Sequence, residues 1–466
     1  MGEYNPVGEY NPVMDTRCRP RRARGAARLA AGFILLSAVL APGIATAQLP
    51  ATLPSADGTV AVAPAAGPSE ITLPAVRALR LAVPTSGLPQ PAGPATVSVA
   101  TDLGAVPRRT TFSLRQVPAD VTVDFDLPRG IISVAGTRVG SFTPVAPLTD
   151  NLKFPVDVTI QRGGSSVAMH RDIMLLLPTV IVPGFSNEKR TSPDPLVVRR
   201  FAQYGYTDAA PHPTLFWYPY QSHRVGLEEG AHALAAYVRR VVLPAAYAAK
   251  INVVGYSVGG LFARWLIAYD FDGWTALVNR LVMVAVPNEG AVMPYVGAHA
   301  PSFLPFAASA KTPLGRVMDP VFPFWRATAS DPWSLPADDG NPALNALNAR
   351  PFPAGPRLYN LYGNNDPSRT GGPQTAIGVT GQLPGATLSY GPGDGIVLTA
   401  SALGLPINGS PGLPELAERA VRIDVGRVYH IHVLEVGAPK AAAVLQDRVE
   451  KAAEAAGTPQ HPQPSR

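Results

Sequence analysis

The chain has 466 residues, 51 of them proline and 43 glycine, with 39 Lys and Arg against 33 Asp and Glu, for a formal charge of +6. Six arginines less Glu3, Glu9 and Asp15 put +3 of that charge in the first 47 residues, leaving only +3 for the rest. No Lys/Arg block follows, so the charge excludes an electrostatic nucleic-acid footprint. The one cysteine, Cys18, lies in the same N-terminal stretch, which excludes disulfide and thiol chemistry from the remainder.

In chain order, the first feature is a hexapeptide, Gly2 to Val7, repeated as Gly8 to Val13. Nothing in its chemistry explains the duplication. Met14 then opens a conventional leader. Arg17, Arg19, Arg21, Arg22, Arg24 and Arg28 form a basic region, and Leu29 to Ala41 is an apolar run too short to span a bilayer. Ala45-Thr46-Ala47 is a small-residue cleavage site. Residues 1–47 therefore read as a cleavable signal peptide and the protein as secreted or periplasmic. Residues 48–70, rich in Ala, Pro and Gly, read as a linker.

Residues 71–177 alternate apolar and polar positions in short runs: Ala95 to Ala100, Thr111 to Leu114, Val121 to Phe125, Ile131 to Val134 and Val156 to Gln161. Gly and Pro punctuate them about every ten residues, the texture of an all-β sandwich. No catalytic cluster falls in this region, which is expected to be a spacer or a module that docks an unknown surface partner.

From Ile173 the pattern changes. Met174 to Leu177 and Thr179 to Val182 are continuous apolar runs, as strands buried on both faces require. A helical segment, Gly230 to Val242, follows, then strands at 251–255 and Leu281 to Val286. Strands alternating with helices imply a mostly parallel sheet. At the end of the Lys250 to Val254 run stands Gly255-Tyr256-Ser257-Val258-Gly259, with an amphipathic run from Gly260 to Ala268 behind it. This is G-x-S-x-G in a strand–turn–helix setting, where the serine is raised out of the sheet on a sharp turn. A Cβ two residues to either side of the serine would collide across that turn.

Over residues 178–450 the chain resembles α/β-hydrolases of the lipase and esterase type. It is similar in particular to secreted bacterial lipases and to the lecithin–cholesterol acyltransferase and inositol-deacylase branches. The motifs that carry the resemblance occur in the order of that family. The stretch from Phe112 to Thr159 likewise resembles bacterial immunoglobulin-like modules. The implied architecture is an α/β hydrolase, a mostly parallel sheet flanked by helices with a cap or lid insertion at about 291–350. An immunoglobulin-like β-sandwich precedes it and a disordered tail, 451–466, follows it.

The resemblance also implies roles. Ser257 is the nucleophile. In Val182-Pro183-Gly184-Phe185 the Phe185 N–H maps onto the oxyanion hole, with the Val258 N–H as its partner; Pro183 stands where the family commonly has His. Val284 to Gly290 resembles a strand-end element of the family but departs at several positions, and Glu289 reads as a surface carboxylate. Gly393-Asp394-Gly395-Ile396-Val397, followed by Ser401-Ala402, resembles the element that holds the triad acid, which favours Asp394. Asp366, after the strand-like Leu358 to Tyr362, is the alternate. The base must follow the acid. His461 sits in the polar tail, so the choice lies between His432, which is favoured, and His430 in Tyr429-His430-Ile431-His432. No residue spacing calls for a metal or other cofactor.

Between Val286 and Leu358 lies an insertion rich in Pro and large apolar residues, including Phe303, Phe306, Phe322, Phe324, Trp325 and Trp333. Such a cap suits lipid or other hydrophobic acyl esters and transient contact with a lipid surface. The expected function is an exported serine hydrolase of carboxylic esters. Acyl transfer or phospholipid/inositol deacylation on the same triad is the alternative within enzymes. An exported binding protein on a hydrolase scaffold is the alternative outside them.

Overall fold

The structure is a computed structural model that describes residues 52–54, 59–62, 70–88, 94–103, 108–184, 193–209, 212–219, 226–291, 342–364, 382–383, 386–387, 393–394, 397–406, 411–428 and 430–448. The leader and the tail lie outside them.

Eleven strands build the N-terminal region: β1 (Thr52–Pro54), β2 (Thr59–Val62), β3 (Glu70–Pro74), β4 (Ala78–Pro84), β5 (Ala95–Thr101), β6 (Arg108–Leu114), β7 (Asp120–Asp126), β8 (Ile131–Val134), β9 (Thr137–Ser141), β10 (Leu152–Arg162) and β11 (Ser165–Leu176). They form two sheets, β1-β2-β4-β7-β8-β9 and β3-β11-β10-β5-β6. Strands β4, β5, β7 and β8 turn alternate residues inward, as the period of two dictates. Leu79, Leu81, Val123 and Phe125 of one sheet share a core with Val97, Val99, Val156 and Val158 of the other. A two-sheet sandwich results.

The linker expected at 48–70 is corrected in part. Thr59–Val62 pairs in parallel with Ala78–Leu81, and Thr52–Pro54 pairs antiparallel with Val60–Val62. A Thr-Val-Ala-Val run is a good strand former. Its surroundings of Ala, Pro and Gly hide it, and the backbone edge of β4 gives it a partner.

Pro178 ends β11, and the chain passes at once into β12 (Thr179–Val182), a strand of the second sheet. The elements that follow are α1 (Pro195–Ala202), β13 (Leu215–Trp217), α2 (Leu227–Tyr237), β14 (Ile251–Tyr256), α3 (Val258–Ala268), α4 (Trp274–Leu277), β15 (Val278–Val284), α5 (Pro342–Asn348), β16 (Arg357–Gly363), the short antiparallel pair β17 (Gln382–Leu383) and β18 (Ala386–Thr387), α6 (Thr399–Leu403), α7 (Pro414–Arg419), β19 (Val421–Gly426) and α8 (His430–Leu445). The sheet runs β13-β12-β14-β15-β16-β19, every neighbour parallel. Residues of α2, α3, α5 and α7 share one core with Val180, Val253 and Leu281. Residues of α1 and α8 share the other with Ile181, Val254 and Val282. Strands covered on both faces are what their unbroken apolar runs demand.

Of the insertion expected at about 291–350, residues 292–341 lie outside the described residues. Its last part is corrected: α5 is a core helix, with Leu344 and Leu347 buried against the nucleophile-bearing side of the sheet.

The two regions meet at the N-terminal ends of the parallel strands. The Leu148 N–H donates to the Tyr247 carbonyl (3.1 Å), and the Tyr247 N–H to that of Ala75 (2.8 Å). Asn151 donates to the Leu445 carbonyl (2.7 Å) and accepts from the Leu177 N–H (3.0 Å). Arg280, fully buried on β15, is held by Asp150 of the sandwich (2.7 Å) and by Asp447 just past α8. Arg357 on β16 reaches the same two carboxylates.

Candidate active site

The opposite, C-terminal edge of the sheet carries the chemistry. β14 ends at Tyr256 and α3 begins at Val258, so Ser257 alone makes the turn, with φ 52° and ψ −131°. For a residue with a Cβ this backbone is strained, a cost of order 1–3 kcal/mol tolerated where surrounding structure fixes it. The Ser257 N–H donates to the Val284 carbonyl of β15 (2.9 Å), which pins the turn to the neighbouring strand. The flanking glycines do what their spacing predicts. A Cβ on Gly255 would lie 2.4 Å from the Gly260 Cα, and one on Gly259 would lie 2.4 Å from the carbonyl oxygens of Val182 and Pro183.

Three side chains from three separate elements converge there. The Ser257 Oγ lies 2.9 Å from His430 Nε2, and His430 Nδ1 lies 2.7 Å from Asp394 Oδ2. All three are buried. A carboxylate only accepts, so Nδ1 carries the shared proton and Nε2 is left to accept from the serine hydroxyl. This is the order of bonds that lets an imidazole draw a proton from a hydroxyl as it attacks.

Asp394 is fixed on every side. Its Oδ1 accepts from the Val397 N–H (2.8 Å), its own N–H donates to the Val397 carbonyl (3.1 Å), and its carbonyl accepts from the His430 N–H (2.9 Å). It sits against the end of β16, where Thr399 Oγ1 donates to the Gly363 carbonyl (2.9 Å). The rival Asp366 lies outside the described residues. The strand-end position that made it a candidate is occupied by Asp394, after an excursion of the chain.

The histidine at the serine is His430, not the favoured His432. The reason is helical geometry. Two residues apart in an extended segment share a face, but His430 opens α8, where successive residues turn by about 100°. His432 therefore points away, 53% exposed in its side chain, with Nδ1 3.4 Å from Glu435 Oε2. Tyr256, the variable residue before the serine, was missed at the sequence level. Its ring stacks on the His430 ring (centroids 5.3 Å apart, 29° between planes), and its hydroxyl donates to the His430 carbonyl.

Of the two expected oxyanion donors, Phe185 lies outside the described residues. Val258 is the first residue of α3, where backbone N–H groups have no acceptor within the helix and the helix dipole favours negative charge.

Glu289 is not on the surface, which corrects the sequence reading: it is 2% exposed. It belongs to a buried polar knot behind the serine. Arg264 of α3 donates to Asn348 Oδ1 (2.7 Å), and Asn348 Nδ2 donates to the Asn288 carbonyl (3.0 Å) and to Glu289 Oε1 (3.2 Å). Ser401 of α6 accepts from the Glu289 N–H (3.0 Å) and donates to the Gly290 carbonyl (2.7 Å). Burial pulls the Arg264 guanidinium down to about 10, against the opposing charge of Glu289. The knot ties the serine-bearing helix to the helix that follows Asp394.

No protein-family model and no curated protein matches the chain. Solved structures similar to it include a Bacillus licheniformis lipase, BlEst2, in its mature form, at 17% identity over 58% of this chain and 92% of that one, TM-score 0.38. The phospholipase PlaB from Legionella pneumophila is 17% identical over 48% of this chain and 45% of that one, TM-score 0.33. The Pyrococcus furiosus esterase Pf2001 is 10% identical over 64% and 88%, TM-score 0.31. These three are a lipase, a phospholipase and an esterase, at loose superposition, and the chemistry of the site stands on its own distances.

Proposed function

We propose that the chain is an exported serine hydrolase of carboxylic esters, acting on lipid or other hydrophobic acyl groups. The observation that carries this is the bond sequence Ser257 Oγ to His430 Nε2 and His430 Nδ1 to Asp394, inside a strained strand–turn–helix. In this reading His430 takes the serine proton as Ser257 attacks the ester carbonyl. The Val258 N–H, with Phe185 as the second donor, holds the developing oxyanion. Asp394 keeps the imidazole in the working tautomer and balances its charge. His430 then protonates the leaving alcohol, and water, activated by the same base, releases the acid.

The preference for hydrophobic acyl groups rests on the Pro- and aromatic-rich insertion at 292–341, and export rests on residues 14–47. The sandwich, immunoglobulin-like in its sequence texture, serves as an accessory module. A fluorophosphonate probe tests the assignment together with a hydrolysis screen over acyl lengths. The reading requires covalent labelling that vanishes in Ser257→Ala and a rate that rises with acyl length. A folded Ser257→Ala protein that still labels and turns over esters overturns it.

A further inference from the structure

On the reading of Ser257, His430 and Asp394 as a working triad, we propose that Tyr256 is a positioning residue for the base. Its hydroxyl holds the His430 backbone in place, and its ring favours the imidazole in the charged form that the reaction creates.

The base stands where a helix is least constrained. His430 is the first residue of α8. Helix ends fray, and the first N–H groups have no acceptor within the helix. An imidazole on that residue shifts with the first turn unless its backbone is held from outside. Both backbone groups of His430 are held in this way. Its N–H donates to the Asp394 carbonyl (2.9 Å), and its carbonyl accepts from the Tyr256 hydroxyl. The first clamp comes from the acid. The second comes from the last residue of β14, which is joined by a peptide bond to the nucleophile. The hydrogen bond from Ser257 Oγ to Nε2 is given up as the serine attacks. The link through Tyr256 does not depend on that bond and keeps base and nucleophile in register while it is broken.

The ring acts on the other face of the problem. It stacks on the His430 imidazole with centroids 5.3 Å apart and 29° between planes. That lies within the separation of about 6 Å at which a cation is drawn to the negative face of an aromatic ring. The imidazole becomes a cation only when it takes the serine proton. The attraction is therefore stronger in the transition state than in the resting enzyme, the kind of interaction that raises kcat. The ring is itself confined. A Cβ on Gly184 would lie 2.9 Å from the Tyr256 Cδ1 and Cε1 and 2.9 Å from the Ser257 Cβ. The backbone just past β12 thus packs against ring and nucleophile together.

The test compares the full chain with its Tyr256→Phe and Tyr256→Leu variants. Ester turnover and melting temperature are measured, and rates are counted per molecule labelled by a fluorophosphonate, so that they refer to folded, competent enzyme. Phe keeps the ring and loses the hydroxyl, and kcat should fall up to about tenfold, the scale of one hydrogen bond. Leu loses both, and kcat should fall about 100-fold, as a misplacement of about 1 Å does. KM should stay within about twofold in each, because Tyr256 acts through the imidazole and not on the substrate. The rate of labelling should slow in the same order. Tyr256→Met fills more of the space of the ring and carries the same comparison if the Leu variant does not fold. A folded Leu or Met variant with the kcat of the parent, a loss confined to KM, or an equal loss in Phe and Leu would each overturn the proposal and leave the triad standing. A parent protein that does not label at Ser257 removes the triad, and the role of Tyr256 with it.

Discussion

At the C-terminal edge of the parallel sheet, the candidate site brings a carboxylate and an imidazole together, held one bond apart beneath a strained serine. At the N-terminal edge, Arg280 and Arg357 interleave with Asp150 and Asp447, and one of these carboxylates comes from the sandwich. Both edges hold buried charge, but they use it differently. The upper arrangement leaves one acceptor, Nε2, directed at a reactive hydroxyl. The lower one pairs its two guanidinium groups with two carboxylates and fastens two regions of the chain together. A loss at the upper edge should therefore appear in turnover with stability intact, and a loss at the lower edge in stability with turnover per folded molecule intact.

The strongest break in that contrast is at the serine. Ser257→Ala and His430→Ala should each lower ester turnover by about 10⁴ to 10⁶, with unchanged melting, because the members act as one unit. Asp394→Asn should cost about 10⁴ through the wrong imidazole tautomer, again with the fold kept. Steady-state rates beside a melting curve separate these from the next case. The double variant Asp150→Asn/Asp447→Asn strands Arg280 without a full counter-charge and should lose about 3–5 kcal/mol in urea unfolding. Adding Arg280→Met should recover much of that loss, since an apolar residue in place of a buried pair is often neutral.

A fragment from about Thr179 to Gly457 loses Asp150, the partners of Tyr247 in the sandwich and the Glu70 partner of Arg448, and it should unfold far more readily than the full chain.

Acid pH gives a smaller effect at the same edge. Burial pushes the Asp150 carboxyl up, but the hydrogen bond and charge of Arg280 outweigh it and hold it below 3.8. Burial likewise acts on Glu70, overcome by Lys153 and Arg448, so its carboxyl sits below 4.5. A depressed folded-state value means that the stabilisation is complete above these ordinary values and is lost as pH falls through the folded ones. Unfolding followed from pH 7 down should show a fall below about pH 4 that is shallower in Asp150→Asn. The smallest effect belongs to His432→Ala. Exposed and away from the serine, this change should leave turnover within about twofold and stability within about 0.5 kcal/mol.

The readability of these features follows their distance along the chain. Ser257 was legible because its neighbours, Gly255, Gly259 and the flanking strand and helix, are contiguous. Asp394 was legible from Gly393 to Val397 and Ser401-Ala402. The base was narrowed to two residues, and the choice between them failed because it depended on whether residue 430 begins a helix or continues a strand. Glu289 looked like a surface residue because Asn348 and Ser401, which surround it, are distant in sequence. The Arg280 network was invisible for the same reason: Asp150 and Asp447 lie on opposite sides of it by well over a hundred residues.

The meeting of Asp394 with the end of β16 bears on how such chains change length over evolutionary time. A Cβ placed on Gly363 would lie 2.8 Å from that of Asp394, although 30 residues separate them in sequence. The turn that holds Asp394, closed on itself by the Gly393–Leu398 bridge, is fastened to the strand end by Thr399 Oγ1, which donates to the Gly363 carbonyl. The carboxylate is thus located by its landing place and not by the path that leads to it. A change of chain length between Asn364 and Gly393 that keeps both ends in place is therefore expected to leave ester turnover unchanged.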